Sequence, residues 1–460
     1  MQRFNIYQHY FAVPYRLLTN FTDDGKTTFE SWISGEAETL PPGYIRFGGS
    51  SGDARLATIG NLSNYLGIPS NIPSATLADE VRVSALYHAA YQLVCSEYYR
   101  DQNITDNYFK RIEAGSDNTG VASDWLFQLR QRAWEHDYFT ACLPFAQKGD
   151  PVKIPFGDFA DIPVYVNKGP GPIPIAVTTD TPPVGTTGIP SENPDIQADD
   201  MYADTSTMLA DAPNLNDLRT AEALQKWLEL AARGGTRYTE LVHAFYDVNS
   251  PDSRLQRPEY IAGTSSPINI SEVLNTTGTD TAPQGQMAGH GFGINAGGYG
   301  KYFCREHMCI IGIMSILPRT SYMGGIDRSW FKLIGDSKEM YWPQFANLGE
   351  QAVYNAEIYA ASGAANFDTF GYIPRYSEMR YKPSMVTADF QQNLSFWSAV
   401  RKFNATPTLS EEFIYCDPAN EVTMNDIFAV IEPGTRPIIA HTYHKVHAIR
   451  PIPKFGTPTL

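Results

Sequence analysis

The chain of 460 residues carries 43% hydrophobic but only 18% charged residues, so it can bury a large core but has few ions to solvate its surface. Its aromatic content of 13%, with 27 tyrosines, is typical of extensive protein–protein contact. The net charge of −15 disfavours the chain as the main neutraliser of a nucleic acid. The five cysteines are scattered and odd in number, which argues against a disulfide framework and for a reducing cytoplasm. No apolar run reaches the roughly 20 residues that span a bilayer.

Four regular elements are predicted in the first half of the chain. An aromatic-rich β-strand covers residues 1–18, and a helix follows over 81–99, where apolar residues recur at helical spacing. A second helix is predicted over 122–135 with Ser123 as its N-cap. A third helix begins near Asn216 and ends at a pair of glycines, Gly234–Gly235.

Residues 156–213 differ in composition from the rest of the chain. Between Gly169 and Leu218 there is no Lys or Arg, whereas acidic residues recur throughout that stretch. The segment is also rich in Pro and Thr, which predicts a long exposed insertion at the surface.

The second half of the chain is read mainly as strands and loops. Residues 303–317 are apolar on both faces, which predicts a strand buried between two layers. Residues 427–431 and 438–449 are predicted as a terminal strand pair. Strands dispersed along the chain, long loops and few helices favour a mainly β fold, an antiparallel barrel or sandwich.

Two glycine-rich strings suggest catalytic motifs but lack their context. Residues 48–52 (GGSSG) match the letters of a nucleophile elbow, yet no clear helix follows them, and a flexible loop is the simpler interpretation. The glycines of 289–300 end in Lys301, as a phosphate-binding loop would. However, Tyr302 stands where Ser or Thr would hold magnesium, and a strand follows instead of a helix. This string predicts a flexible or closely packed backbone.

Candidate metal ligands are equally incomplete. His441, His444 and His447 cannot converge on one metal if they lie on a strand, because neighbouring positions alternate between its faces. Cys304 and Cys309 would likewise face opposite ways. The pair Asp199–Asp200 lacks the spaced oxygen ligands of a calcium site, so structural calcium is possible in principle but unsupported.

Cations alternate with aromatic rings in two places, which is a pattern suited to single-stranded nucleic acid. The first place spans residues 375–382, and the second lies in the C-terminal region, which has no acidic residue after Glu432. Ordinary strand surface or a subunit contact is the alternative interpretation. The candidate nucleic-acid contacts are Arg375, Arg380, Lys382, Lys445 and Arg450.

Several longer strings occur in a fixed order along the chain. They are YFAVPYRL at 10–17, YYRDQN at 98–103, HDYFT at 136–140 with QKG at 147–149, RGGTRYTE at 233–240, SPDSRLQRPEY at 250–260, LGEQA at 348–352 and RPIP at 450–453. In sequence and order they resemble the major capsid protein family of Microviridae, small single-stranded DNA bacteriophages, and especially its gokushovirus-like lineages.

The resemblance implies a single domain over 1–460, a viral jelly-roll antiparallel β-barrel with long helix-containing loops between its strands. It implies a T=1 icosahedral shell of copies of the chain, enclosing circular single-stranded DNA. The implied partners are an internal scaffolding protein, a DNA pilot protein, a small basic DNA-binding protein and a host surface receptor. The implied location is the virion, assembled in the bacterial host cytoplasm. The family pattern offers no catalytic residue and no cofactor.

Two departures from the family pattern qualify these implications. Family members carry about two further strands before the aromatic strand, so N-terminal strands are expected to be missing from this chain. The insertion at 156–213 is also shorter than the family's large variable loop, so any three-fold protrusion should be small or absent. The alternative function is a carbohydrate-binding or cupin-like jelly-roll protein. A mass measurement separates the two, since a shell is a megadalton particle.

Overall fold

The computed structural model describes residues 3–35, 40–47, 59–69, 81–119, 123–150, 152, 164–166, 173–174, 201–203, 215–235, 238–248, 256–274, 287–295, 298–361, 363–394, 400–416 and 438–450. Within them the strands are β1 Phe4–Pro14, β2 Tyr44–Phe47, β3 Val81–Ser84, β4 Val164–Val166, β5 Ile173–Pro174, β6 Met201–Ala203, β7 Glu259–Leu274, β8 Met287–Phe292, β9 Met308–Pro318, β10 Glu350–Tyr354 and β11 Thr369–Pro374. The α-helices are α1 Thr28–Ile33, α2 Leu62–Tyr65, α3 Leu86–Val94, α4 Asp124–Phe127, α5 Leu215–Arg233, α6 Tyr238–Tyr246, α7 Arg328–Lys332, α8 Asn355–Ile358 and α9 Glu411–Ile414.

The main sheet is a curled antiparallel sheet of four strands in the order β8–β7–β1–β9. β1 lies in its interior and pairs along its length with both β7 and β9, with an irregularity against β7 between Tyr10 and Phe11. Pro14 has no N–H for the ladder and ends the strand, after which Tyr15–Leu18 form a 3₁₀ turn. The predicted strand over 1–18 is therefore confirmed, although it ends earlier than expected.

One face of the main sheet is buried under α3. Phe11 of β1 and Ile311 of β9 pack with Ala89 and Val94 of α3 in the largest apolar cluster of the described residues. The opposite face of β9 is partly open, since Ile310 is 58% exposed. Side chains of a strand alternate between its faces, and in the first half of β9 only the face of Cys309 and Ile311 is covered. The prediction that 303–317 is a strand is confirmed in position, but burial on both sides is wrong for this chain.

The predicted helix over 81–99 divides into two elements. Val81–Ser84 form β3, which pairs with β2 and places Val83 opposite Ile45. The β-branched valines suit this pairing better than a helical turn. α3 then begins at Leu86, whose N–H donates to Ser84 Oγ at 3.3 Å, and it continues as a π-helix over Cys95–Tyr99.

The second predicted helix, over 122–135, is largely wrong. Only α4 forms, and its N-cap residue Ser123 makes no side-chain capping hydrogen bond. The side chain of Gln92 in α3 donates to the carbonyl oxygens of Leu126 (3.2 Å) and Gln128 (2.7 Å). The chain is extended from Gln128 onwards, and these two hydrogen bonds hold its carbonyl groups against α3.

The third predicted helix is confirmed as α5. Gly234 N–H donates to Leu230 O at 2.9 Å, and Gly235 follows with a φ of +90°, a left-handed conformation that favours glycine after a helix. Another helix, α6, follows it directly and was not predicted. Within the described residues, helix of all kinds makes up about 29% and strand about 23%, so the helical part between strands is larger than the sequence indicated.

A second apolar cluster lies beneath the two-stranded sheet of β10 and β11. It contains Phe139, Tyr322, Val353, Phe370 and Phe413. The Phe139 ring meets the Tyr322 ring edge to face with centroids 4.8 Å apart, a favoured arrangement of aromatic pairs. This cluster fixes the position of the chain that leaves β11, where the first cationic candidates lie.

The predicted insertion at 156–213 lies mostly outside the described residues. Its described backbone forms a small sheet in the order β5–β4–β6. Of the predicted terminal strand pair, 427–431 lies outside the described residues. The prediction for 438–449 is wrong, since residues 438–450 have no strand structure. A strand needs a paired neighbour for its hydrogen bonds, and no described residue supplies one.

An exposed apolar surface surrounds α7. Trp330, Leu333 and Ile334 are 70%, 75% and 79% exposed, and Tyr341 and Trp342 beyond them are about half exposed. Contiguous apolar surface of this kind marks a site of protein–protein contact. Among the described helices, none is both long and apolar enough to cross a membrane.

Candidate nucleic-acid interface

Arg375 is the first residue of the first cationic region, and most of its contacts are with other groups of the protein. It directly follows β11, and its backbone N–H donates to Gly349 O at 3.3 Å. Its Nη2 donates to Lys338 O at 2.9 Å, and its guanidinium carbon lies 5.1 Å from the centre of the Tyr376 ring. The side chain is only 12% exposed. Arg375 therefore holds the chain in place more than it offers charge to a ligand.

Arg380 and Lys382 extend into solvent beyond the 3₁₀ turn Ser377–Met379. Lys382 Nζ lies 3.4 Å from Asp327 Oδ2, although its side chain remains 75% exposed. Tyr381 between them is also exposed. An exposed ring between two cations is the arrangement that the sequence predicted, but Asp327 offsets part of its positive charge.

A network of buried charged side chains lies next to this region. Arg328 Nη1 donates to Glu357 Oε1 at 2.7 Å, and Tyr138 Oη donates to Glu357 Oε2 at 2.9 Å. Burial raises the pKa of Glu357, while Arg328 opposes that rise. Beside it, Glu378 pairs with Lys332 in an almost buried ion pair. Burial would raise the pKa of Glu378, but its hydrogen bonds from Lys332 and Gln351 outweigh burial and lower it.

Lys445 and Arg450 lie on the exposed segment 438–450. The ring nitrogen Nε2 of His444 lies 3.0 Å from Tyr10 Oη, and the two rings meet edge to face. This contact ties the segment to β1 of the main sheet. No hydrogen bond or ion pair joins 438–450 to 375–382 within the described part of the chain, so the structure does not unite the five candidates in one site.

The other candidate sites can be placed as follows. Residues 48–52 and Asp199–Asp200 lie outside the described residues. Gly298 and Gly300 lie against β7, where an added Cβ would approach Thr264 and Ala262 to within 2.7–2.8 Å, so close packing explains them. Among the described residues there is no group of three His, Cys, Asp or Glu side chains that could hold a metal.

Cys304 and Cys309 differ in environment because β9 begins only at Met308. Cys304 precedes the strand and is exposed, whereas Cys309 is buried in it. Burial raises the pKa of the Cys309 thiol to about 11. The expected strand geometry for both cysteines is therefore wrong for Cys304.

Sequence reasoning missed a cleft of about 630 Å³ beside the main sheet. Part of its lining comes from four of the strings noted in the sequence, 10–17, 98–103, 136–140 and 250–260, and the rest comes from His9, residues 132–135 and Ile414. Aromatic rings predominate in it, and Arg100 and Arg132 supply positive charge. The strings were a usable signal, but their convergence depends on long-range pairing of β1 with β7.

The described residues form a curled antiparallel sheet with helical insertions and an exposed apolar surface around α7, the features of a β-sheet protein with a large contact surface. Comparison with known proteins makes this specific. The family described as "Capsid protein (F protein)" matches residues 1–460, and the chain belongs to this family. It is a structural, non-enzymatic major capsid protein.

Three relatives, each named capsid protein VP1, are similar over nearly the whole chain. That of Bdellovibrio phage phiMH2K is 32% identical, covering 86% of this chain and 76% of the relative. That of Chlamydia phage 1 is 30% identical, covering 100% and 87%. That of Spiroplasma virus 4 is 28% identical, covering 98% and 84%. The recognition of the Microviridae capsid family is confirmed. The carbohydrate-binding or cupin-like alternative is not supported.

Proposed function

We propose that copies of this chain assemble into a small T=1 icosahedral shell around circular single-stranded DNA, in the bacterial host cytoplasm, to form the virion. The observation that carries the proposal is the match of the capsid family to residues 1–460. In this proposal the protein's working parts are its surfaces, because a closed shell requires each copy to cover apolar area on its neighbours.

We propose that the fold is a viral jelly roll in a single domain over 1–460. The curled sheet β8–β7–β1–β9 supports this, since it is antiparallel and its strands are widely separated in sequence. Residues 156–213 would form a surface insertion on that barrel.

The exposed apolar surface around α7 supports contact between copies. Trp330, Leu333 and Ile334 lie on or just after one short helix, so their side chains can enter a partner together. Aromatic residues at the centre of an interface commonly carry much of its binding energy. In the proposed shell these residues lie between neighbouring copies.

The net charge of the chain indicates that another protein neutralises most of the enclosed DNA. At −15, the chain repels phosphate overall, so a small basic DNA-binding protein would supply most of the neutralising charge. Arg375, Arg380, Lys382, Lys445 and Arg450 would add local contacts to the DNA. The further proposed partners are an internal scaffolding protein, a DNA pilot protein and a host surface receptor.

The shell is tested by the mass of the purified product and by its contents. Co-expression with the proposed internal scaffolding protein should give megadalton particles in analytical ultracentrifugation. In the presence of the genome and the basic protein, those particles should protect circular single-stranded DNA from nuclease. A solitary chain at high concentration under all these conditions would contradict the proposal.

The cationic candidates are tested by changing Arg380, Lys382 and Lys445 together to Ser. A matched control is Lys226→Ser, another exposed lysine with a carboxylate partner, placed on α5. The triple variant should package less DNA and lose salt resistance, whereas the control should not. Equal packaging across a salt series would assign these cations to ordinary surface.

A further inference from the structure

The cleft beside the main sheet is built from residues far apart in the chain. Phe11 and Tyr260 come from paired strands, Tyr98 and Tyr99 from the π-helix, and Arg132 from the extended chain after α4. A volume of about 630 Å³ lies within the range of ligand pockets, about 300–1,000 Å³.

Aromatic rings form one wall of the cleft and hold one another in fixed orientations. Phe11 lies 4.7 Å from Tyr98 and 5.6 Å from Tyr260, measured between ring centroids. The rings of His9 and Tyr99 lie with their planes 4° apart and their centroids 6.0 Å apart, joined by a 2.7 Å hydrogen bond between His9 Nδ1 and the Tyr99 hydroxyl. Tyr260 is 48% exposed and Tyr98 is 36% exposed, so both remain accessible to a flat ligand. A preformed wall of rings suits base stacking.

Two guanidinium groups lie beside this wall. Arg132 lies over the rings of Tyr7 and Tyr99, at 4.3 and 5.4 Å from their centres, and its Nη1 donates to Ser315 Oγ at 2.7 Å. Arg100 donates from Nε to Ser96 O of the π-helix and from Nη1 to Thr105 O. Within the described part of the chain, neither arginine lies within ion-pair distance of a carboxylate.

The two acidic residues at the cleft are already engaged. Asp101 accepts hydrogen bonds from the backbone N–H groups of Asn103 (2.9 Å) and Ile104 (3.3 Å). Glu135 accepts the hydroxyl of Tyr7. Both carboxylates remain charged in these contacts and formally balance the two arginines. The donors of Arg100 and Arg132 that make no contact within the described protein are the groups of the cleft that can bind an external anion.

We propose that this cleft binds one nucleotide of single-stranded DNA, with its base against Tyr260 and Tyr98 and its phosphate near Arg132 and Arg100. The inference rests on the proposed enclosure of single-stranded DNA. It adds a site made by the folded chain that is separate from the cationic segments 375–382 and 438–450. One such site in every copy would attach the genome at regular points of the shell without requiring a net positive chain.

Photocrosslinking locates the site directly. The full chain is irradiated with a short oligothymidylate that carries one 5-iodouracil, and the crosslinked peptides are identified by mass spectrometry. The expected crosslinks fall on Tyr98, Tyr99 or Tyr260. Crosslinks confined to 375–382 or 438–450, or none at all, would overturn the inference.

Affinity measurements on matched variants separate binding from folding. Tyr260→Ala should weaken oligothymidylate binding about tenfold, whereas Tyr260→Phe, which keeps the ring, should bind normally. Arg132→Gln should lower the slope of log affinity against log salt by roughly 0.7, and Arg132→Lys should retain it. Near-ultraviolet circular dichroism checks that each variant is folded. Unchanged affinity in folded Tyr260→Ala would overturn the inference.

The same samples distinguish this inference from the proposed function. Sedimentation reports whether particles form, independently of any crosslink. Particles that protect DNA but give no cleft crosslink would refute the cleft alone, whereas failure of particle formation would refute the shell. Binding of an aromatic acidic peptide in the cleft, with no binding of oligothymidylate, would assign the cleft to a protein partner and overturn the nucleotide site.

Discussion

His88 should make the stability of the chain depend on pH between neutrality and mild acid. Its ring is buried in α3, lies edge to face with Phe127 at 5.6 Å, and has Nε2 2.8 Å from Ser63 Oγ. Burial lowers its pKa from 6.5 to about 4, because the charged imidazolium is poorly solvated there.

The magnitude follows from the difference between the two pKa values. The unfolded chain takes up a proton near pH 6.5, whereas the folded chain resists it until about pH 4. The contribution of neutral His88 is therefore fully present above pH 6.5 and is lost as the pH falls towards 4. At about 1.4 kcal/mol for each pH unit, the loss amounts to about 3 kcal/mol.

The assay is the free energy of unfolding of the unassembled chain in urea, measured at several pH values. The variant His88→Phe keeps an aromatic ring against Phe127 but cannot titrate. Because it leaves the Ser63 hydroxyl without its ring partner, Ser63→Ala serves as a control for that loss alone. The wild-type chain should lose about 3 kcal/mol more than His88→Phe between neutral pH and pH 4. Parallel curves for the two proteins would refute the assigned burial.

Three further predictions concern the buried network of charges and the end of α5. Glu357→Gln should lower the free energy of unfolding in urea by about 3 kcal/mol, because it leaves the charge of Arg328 buried without its partner. Adding Arg328→Met should recover part of that loss. Two losses of stability that simply add would contradict this expectation. Because the pKa of Glu378 is lowered from 4.5, its charged carboxylate stabilises the fold above pH 4.5, and this contribution is lost as the pH falls below that value. Glu378→Gln should therefore weaken the pH dependence of the free energy of unfolding in that range, whereas Lys226→Ser should not. Gly235→Ala should cost about 1–2 kcal/mol in thermal or urea unfolding, since its φ is +90°; no change would show that α5 ends differently.

Sequence patterns correctly predicted those secondary-structure elements that depend mainly on interactions between residues close in the chain. The aromatic strand β1 and the helix α5 with its terminal glycines were readable because spacing and capping act over a few residues. The helix over 122–135 was wrong, since the chain is extended from Gln128 onwards and is held there by tertiary hydrogen bonds from Gln92, in a different helix, to Leu126 and Gln128. No pattern within 122–135 records that contact.

Burial and function were less predictable than secondary structure. The apolar sequence of β9 gave no indication that Ile310 would remain exposed, because exposure depends on what lies above the sheet. The cationic candidates were chosen by composition, and the sequence could not reveal that Arg375 is committed to Lys338 O. The cleft could not be predicted from the sequence, because its aromatic rings and arginines come together only when β1 pairs with β7.

The contrast between Cys304 and its fellow thiols has a practical use. Four of the five cysteines are enclosed in packed regions, and burial raises the pKa of Cys95 to about 12, so almost no reactive thiolate forms there. A maleimide dye applied at neutral pH should therefore attach once per chain, at Cys304. Each molecule thus carries a natural single attachment point for fluorophores or cargo, with no need to engineer one.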